Sequence, residues 1–237
     1  MTMGVERMPR EAWTDTAGGF RHCREALAVI LPQLTAPTMA AVLDLDPDWY
    51  RRIEAGRQGV SITTFATLAR AYLGLLDAFG ALMFPIKPAS LHTLLPEVPA
   101  PTPFPPLPAH PCPDRRDKPT YCWRIHDLRV ELGRQRNMNR PFPGRQIALA
   151  LRATASDTTE PVEPAPRQFN DDRIAQIESG KSAGSIPALI GLYQFFSQNL
   201  TRPRTRPLLL DDILVIPHRI PQQLITLVEQ SAAVGRP

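Results

Sequence analysis

One run of residues occurs twice in this chain, 124 positions apart. Ile53-Glu54-Ala55-Gly56-Arg57-Gln58-Gly59-Val60-Ser61-Ile62 is echoed by Ile177-Glu178-Ser179-Gly180-Lys181-Ser182-Ala183-Gly184-Ser185-Ile186. Across residues 53–72 and 177–196 six positions are identical without a gap: Ile53/Ile177, Glu54/Glu178, Gly56/Gly180, Ser61/Ser185, Ile62/Ile186 and Leu68/Leu192. Average residue usage gives about one such identity by chance. A repeat of this kind means that one supersecondary unit is used twice.

Proline marks the boundary between the two copies. The chain has 27 prolines, and they crowd into residues 96–119, PEVPAPTPFPPLPAHPCPDRRDKP. Proline lacks the N–H and fixes φ, so this stretch forms neither helix nor inner strand and is expected to be a semi-rigid spacer. The expected organisation is a first helical domain over 1–95, the linker 96–119, a second helical domain over 120–200, and a C-terminal extension 201–237 that packs on its neighbour or forms a dimer seam. In the first half the apolar spacing predicts helices over 20–34, 38–43, 46–55, 63–73 and 75–84. Asp46 is placed to cap the third, with Pro47 at its first position, and Gly56 is placed to end it. The second half predicts helices over 123–136, 145–152, 170–179 and 187–197. It carries a polar, Pro-bearing insertion at 153–167, ATASDTTEPVEPAPR, where a tight turn belongs.

Bulk properties exclude several classes. At 43% hydrophobic the chain can bury real cores. Its formal charge of +4 is uneven: residues 1–95 balance 9 acidic against 9 basic groups, whereas 120–200 carry 8 against 10 and 201–237 carry 3 against 5. A basic C-terminal half is compatible with a nucleic-acid partner. Cys23, Cys112 and Cys122 are odd in number and lack zinc spacing, which fits a reduced, cytoplasmic protein. No basic-then-apolar leader and no apolar run of about 18 residues is present, so neither secretion nor a membrane span is expected. The five histidines, His22, His92, His110, His126 and His218, do not pair with Cys or acid at metal-ligand spacing. There is no Gly-rich phosphate loop, no Gly-x-Ser-x-Gly and no spaced carboxylate pair on an element expected to be rigid. The chain is therefore expected not to be an enzyme, and no cofactor is expected.

The repeated pattern resembles the Cro/CI repressor (Xre-type) helix-turn-helix. Members of that family read like Leu-Thr-Gln-x-x-Leu-Ala-x-x-Leu-Gly, then a turn, a helix ending Ile-x-x-Ile-Glu-x-Gly, and x-x-x-Ser-Leu-x-x-Leu. Here Leu34 to Asp44 stand at the first block. Tyr50, Ile53, Glu54 and Gly56 stand at the second, and Ser61, Ile62, Phe65 and Leu68 at the third. In the second copy Ile147, Ala148, Leu151, Ile174, Ile177, Glu178, Gly180, Ser185, Ile186, Leu189 and Leu192 hold the same places. The likeness covers about 150 residues and implies an all-α fold of two lambda-repressor-like helix-turn-helix domains. It implies a sequence-specific DNA-binding transcriptional regulator, a repressor acting as a homodimer on double-stranded DNA, with the later helix of each pair in the major groove.

By that resemblance the groove-facing positions are Ala36, Pro47, Asp48, Arg51 and Arg52 in the first copy. In the second they are Gly144, Asp171, Asp172, Ala175 and Gln176. Arg52 is a candidate for guanine and Gln176 for adenine, while Arg51, Arg57, Arg145, Arg173 and Lys181 are candidates for phosphate. Asp48 and Asp172 could accept from cytosine, but Asp at a helix start more often caps it. The chain departs from the family in three ways. Ala36 and Gly144 replace the usual glutamine, Asp44 and Arg152 replace the turn glycine, and acidic residues sit at the groove entrance. Those departures leave a second reading open, a protein-interaction module, anti-activator or antitoxin-like, with degenerate helix-turn-helix units.

Overall fold

The computed structural model describes residues 10–79, 89–102, 121–156, 171–200, 206–226 and 229. The fold is mainly α-helical. The described residues fall into two compact units. The first comprises 10–79, 89–100 and 216–226, and the second 101–102, 121–156, 171–200 and 206–215. Most of the expected Pro-rich spacer, residues 103–119, lies outside the described residues.

Unit one is built from α1 (Arg10–Ala28), α2 (Ala36–Val42), α3 (Pro47–Glu54), α4 (Ile62–Phe79) and the single turn α5 (Leu91–Leu94). Its core is Phe20, Leu27, Leu34, Met39, Tyr50, Ile53, Phe65, Leu68 and Tyr72, all essentially without solvent exposure. Phe20 touches both Phe65 and Tyr72, with ring centroids 5.6 Å apart in each case, which locks α1 to α4. The break expected between residues 73 and 75 does not occur. Helix α4 runs through Gly74 to Phe79, because a lone glycine weakens a helix without stopping it. Gly74 has a packing role instead, since a Cβ there would lie 2.7 Å from the backbone carbonyl carbon of Arg219. The C-terminal segment 216–226 therefore lies against α4. The Arg219 amide donates to the Arg70 carbonyl (3.4 Å), His218 pairs with Asp77, and Leu224 is fully buried.

Unit two contains β1 (Cys122–Trp123), α6 (Ile125–Gln135), α7 (Gly144–Ser156), α8 (Asp171–Glu178), α9 (Ile186–Asn199) and β2 (Leu214–Val215). The expected helix 123–136 starts later, because Cys122 and Trp123 pair antiparallel with Val215 and Leu214. The apolar tail supplies that partner strand and is core to its own chain: Leu208, Leu209, Leu210, Ile213 and Leu214 are buried. Arg206 grips the Asp212 carboxylate through two bonds of 3.0 and 2.6 Å, and the Leu209 amide donates to the same carboxylate at 2.8 Å. The extension 201–237 is thus divided, residues 206–215 belonging to unit two and 216–226 to unit one. Helix α7 runs four residues beyond the expected end at Arg152, carrying the start of the polar insertion as helix. Asn170, at the expected start of the next helix, lies outside the described residues, as does the insertion from 157 onward. Among the described residues no helix is long and apolar enough to cross a membrane.

Candidate functional site

Each copy of the repeat is a short helix, α3 or α8, followed by a turn and a long buried helix. The six identical positions account for that geometry. Ile53, Ile62, Leu68 and their counterparts Ile177, Ile186 and Leu192 are core. Gly56 and Gly180 take φ of 66° and 70°, the left-handed conformation that favours glycine. The Gly56 amide donates to the Ile53 carbonyl (3.0 Å) and the Arg57 amide to Arg52 (2.8 Å), which is a Schellman stop. The Gly180 amide likewise donates to Ile177 (3.1 Å), and Ser182 to Gln176 (3.0 Å) as Gln58 does to Arg52 (3.1 Å). Ser61 accepts from the Thr64 amide at 3.1 Å and Ser185 from the Ala188 amide at 3.3 Å, so each serine caps the following helix.

The repeated glutamate also has one role in both copies. Glu54 takes two bonds from the Arg24 guanidinium, 2.7 and 3.0 Å, tying α3 to α1. Glu178 takes two from Arg129, 2.8 and 2.7 Å, tying α8 to α6. Sequence reasoning missed Arg24 and Arg129. The signal that points to them is the glutamate itself: a repeated acid on the apolar side of a helix requires a cation. In unit one this clamp continues into the core, where the Tyr50 and Tyr72 hydroxyls are bonded to each other. Burial, with the Glu54 charge nearby, pushes Tyr50 well above its ordinary value, and burial does the same to Tyr72. Their counterparts in unit two are Ile174 and Phe196, both buried and apolar.

The turn before α3 is tight. Asp44 adopts φ 53°, with its amide donating to Ala41 (3.3 Å) and the Leu45 amide donating to Ala40 (2.8 Å). This is again a Schellman stop, with aspartate in glycine's place. Asp46 then caps α3 by accepting from the Trp49 amide at 2.7 Å. In unit two Arg152, at the corresponding place, lies within α7 and makes no turn.

On α3 the positions spaced by three and four residues divide cleanly. Tyr50, Ile53 and Glu54 face inward, while Asp48, Arg51 and Arg52 are exposed. Capping does not account for Asp48, because Asp46 performs it. Asp48 instead accepts from Arg51 at 3.0 Å, an exposed pair of small energetic worth. Arg52 and Arg57 are exposed and their side chains have no partner among the described residues. Pro47 is exposed and Ala36 half-buried. On α8 the exposed residues are Asp172, Ala175 and Gln176, with Arg173 half-buried and engaged, and Lys181 exposed beyond the glycine. Arg145 is exposed in the first turn of α7, whereas Gly144 is buried. The side chain of Asp171 lies outside the described residues. Among the described residues no group of three His, Cys, Asp or Glu is placed to hold a metal ion. No protein-family model, no curated protein and no solved structure matches this chain.

Proposed function

We propose that the protein is a DNA-binding transcriptional regulator of the Cro/CI repressor type, and that α3 of unit one enters the major groove. The observation that carries this reading is the solvent face of α3. It offers Arg52, with Arg57 just beyond, as cations with no partner among the described residues. The helix presenting them is held by a Schellman stop, a side-chain cap and the Arg24–Glu54 clamp. A guanidinium held on a rigid helix suits bidentate contact with guanine in the major groove. Repression at an operator with symmetric half-sites, by a homodimer, belongs to the same proposal through the resemblance. The apolar tail is not available as its seam, since Leu208, Leu209, Leu210, Ile213 and Leu214 are buried within the chain. Light scattering at micromolar concentration checks the dimer, and a monomer would remove that part of the proposal.

The test is sequencing of randomised DNA fragments retained by the purified protein at moderate salt. One enriched motif is expected, and Arg52→Ala should relax the preference at one base position at a cost of about 1–3 kcal/mol. Retention without enrichment would overturn sequence-specific regulation. It would favour the protein-interaction reading, for which the Asp48–Arg51 pair and the exposed Asp172 speak, since carboxylates at a groove entrance repel phosphate.

A further inference from the structure

The two units share a scaffold, so each serves as a control for what the other carries beyond folding. The connection between the first two helices of the repeat is the place where they differ most in charge. In unit one residues 29–35, Val-Ile-Leu-Pro-Gln-Leu-Thr, contain no charged group. In unit two residues 134–145, Arg-Gln-Arg-Asn-Met-Asn-Arg-Pro-Phe-Pro-Gly-Arg, contain four arginines and no acid. The fold therefore does not require cations at this connection.

All four arginines, Arg134, Arg136, Arg140 and Arg145, are exposed. Arg134, Arg140 and Arg145 have no hydrogen-bond or ion-pair partner among the described residues. Arg136 is steered by neutral groups alone, donating to Asn199 Oδ1 at 3.0 Å with its guanidinium 5.5 Å from the Phe142 ring centroid. Arg134 lies at the end of α6, Arg145 at the start of α7, and the loop between them, which carries Arg136 and Arg140, is built to hold one shape. Asn137 sits at φ 54°, its amide donating to Arg134 (3.1 Å) and the Met138 amide donating to Gly133 (2.9 Å). A Cβ at Gly133 would collide with the Arg140 carbonyl oxygen, so loop and helix are in direct contact. Phe142 is buried, its amide donating to Arg129 (2.9 Å) and its carbonyl accepting from Arg129 Nε (2.6 Å). An ordered loop gives up little further entropy when it binds.

Helix α8 has the opposite character. Its solvent face shows Asp172, Ala175 and Gln176, with no exposed cation until Lys181. We infer that unit two meets duplex DNA through the phosphate backbone, using the arginines of the α6–α7 connection (Arg134 at the end of α6, Arg136 and Arg140 in the loop, Arg145 at the start of α7) rather than α8, while unit one reads bases. This rests on the proposed DNA-binding function and divides it between the two copies. The occupant follows from the chemistry. Four exposed guanidiniums on a connection that contains no acid suit phosphate oxygens, and such contacts hold a protein on DNA without selecting sequence.

The test compares the full-length protein with the triple variant Arg134→Gln/Arg140→Gln/Arg145→Gln and the charge-preserving variant Arg134→Lys/Arg140→Lys/Arg145→Lys. Binding to a mixed-sequence DNA duplex is followed by fluorescence anisotropy over a salt series. Each lost phosphate contact changes the slope of log affinity against log salt by about 0.9, so the glutamine variant should bind with a slope shallower by about 2.7. The lysine variant should keep the wild-type slope, and all three proteins should enrich the same motif. Arg136 is left in place because it has structural contacts. The substituted side chains are exposed and have no hydrogen-bond or ion-pair partner among the described residues, so matched circular dichroism and melting temperature are expected. An unchanged slope in the glutamine variant, with the wild type binding DNA, would overturn this inference alone and point to an acidic protein partner for the loop. A wild type that binds no duplex even at low salt would overturn the proposed function itself, and this inference with it.

Discussion

Glu54 shows how a charge can serve the scaffold when a partner is buried with it. It is 7% exposed and its two oxygens are both taken by Arg24. Removing one partner of a buried pair leaves the other charge stranded, which costs about 3 kcal/mol. Glu54→Gln should therefore lower the stability of unit one by that amount in urea unfolding. Glu178→Gln should cost less, because its pair is more exposed and Arg129 keeps the Phe142 carbonyl. Equal losses would contradict the burial argument. The core of unit one also carries acids that resist ionising. Burial pushes the Cys23 thiol up to about 12 from 9.0, and Tyr50 and Tyr72 are raised as well. A raised acid keeps its proton in the folded state after the unfolded chain has lost it. Stability is then unaffected below the unfolded value and falls as pH rises from about 9. Alkaline melting curves should show that fall, with Cys23 blocked to thiol reagents until unfolding begins. A Cys23 that reacts freely in the folded protein at pH 9 would refute it.

At the scale of single elements, helix ends are the most legible feature. Asp46, Ser61 and Ser185 cap by short local bonds, and Gly56 and Gly180 end helices because of their own φ, so nearby sequence is enough to locate them. A Cβ at Gly180 would have nothing within 4 Å, so Gly180→Ala adds only left-handed strain, about 1 kcal/mol. Gly184→Ala should cost more, because φ is 79° and the added Cβ would lie 2.6 Å from the Trp123 ring. Thermal melts of the two variants check the order, and a reversal would mean that the Trp123 contact gives way freely. The elements that local pattern places wrongly depend on distant partners. Trp123 reads as the start of a helix, but its backbone pairs with Leu214, ninety-one residues later, and its indole N–H donates to Ala183 (3.0 Å). The split expected at Gly74 fails because a lone glycine weakens a helix without stopping it, and that glycine makes room for the backbone of Arg219 instead.

Across the whole molecule, the C-terminal extension is the least local part of the fold. Gly74→Ala tests it with two opposing effects. Alanine favours a helix interior by about 1 kcal/mol, yet its methyl would press on the backbone of Arg219 and Ile220. The contact should win: segment 216–226 should loosen, and trypsin should cut after Arg219 sooner than in the wild type. Unchanged cleavage would show that the segment is held mainly by Leu224 and the His218–Asp77 pair. Sequence alone determined that one unit is used twice, that its third helix is stopped by a glycine in both copies and capped by Asp46 in the first, and which side of that helix is core. Those properties rest on dihedral preference and apolar spacing, which are written locally. Only the tertiary structure decided that the repeated glutamates are clamps to Arg24 and Arg129, that the apolar tail is consumed inside the chain, and that Arg134, Arg140 and Arg145 are left exposed without a hydrogen-bond or ion-pair partner among the described residues. Ion-pair partners and strand partners are chosen by proximity in space, and no spacing along the chain records it. All six identical positions serve the scaffold, so the exposed residues that differ between the copies are where their functions are free to part.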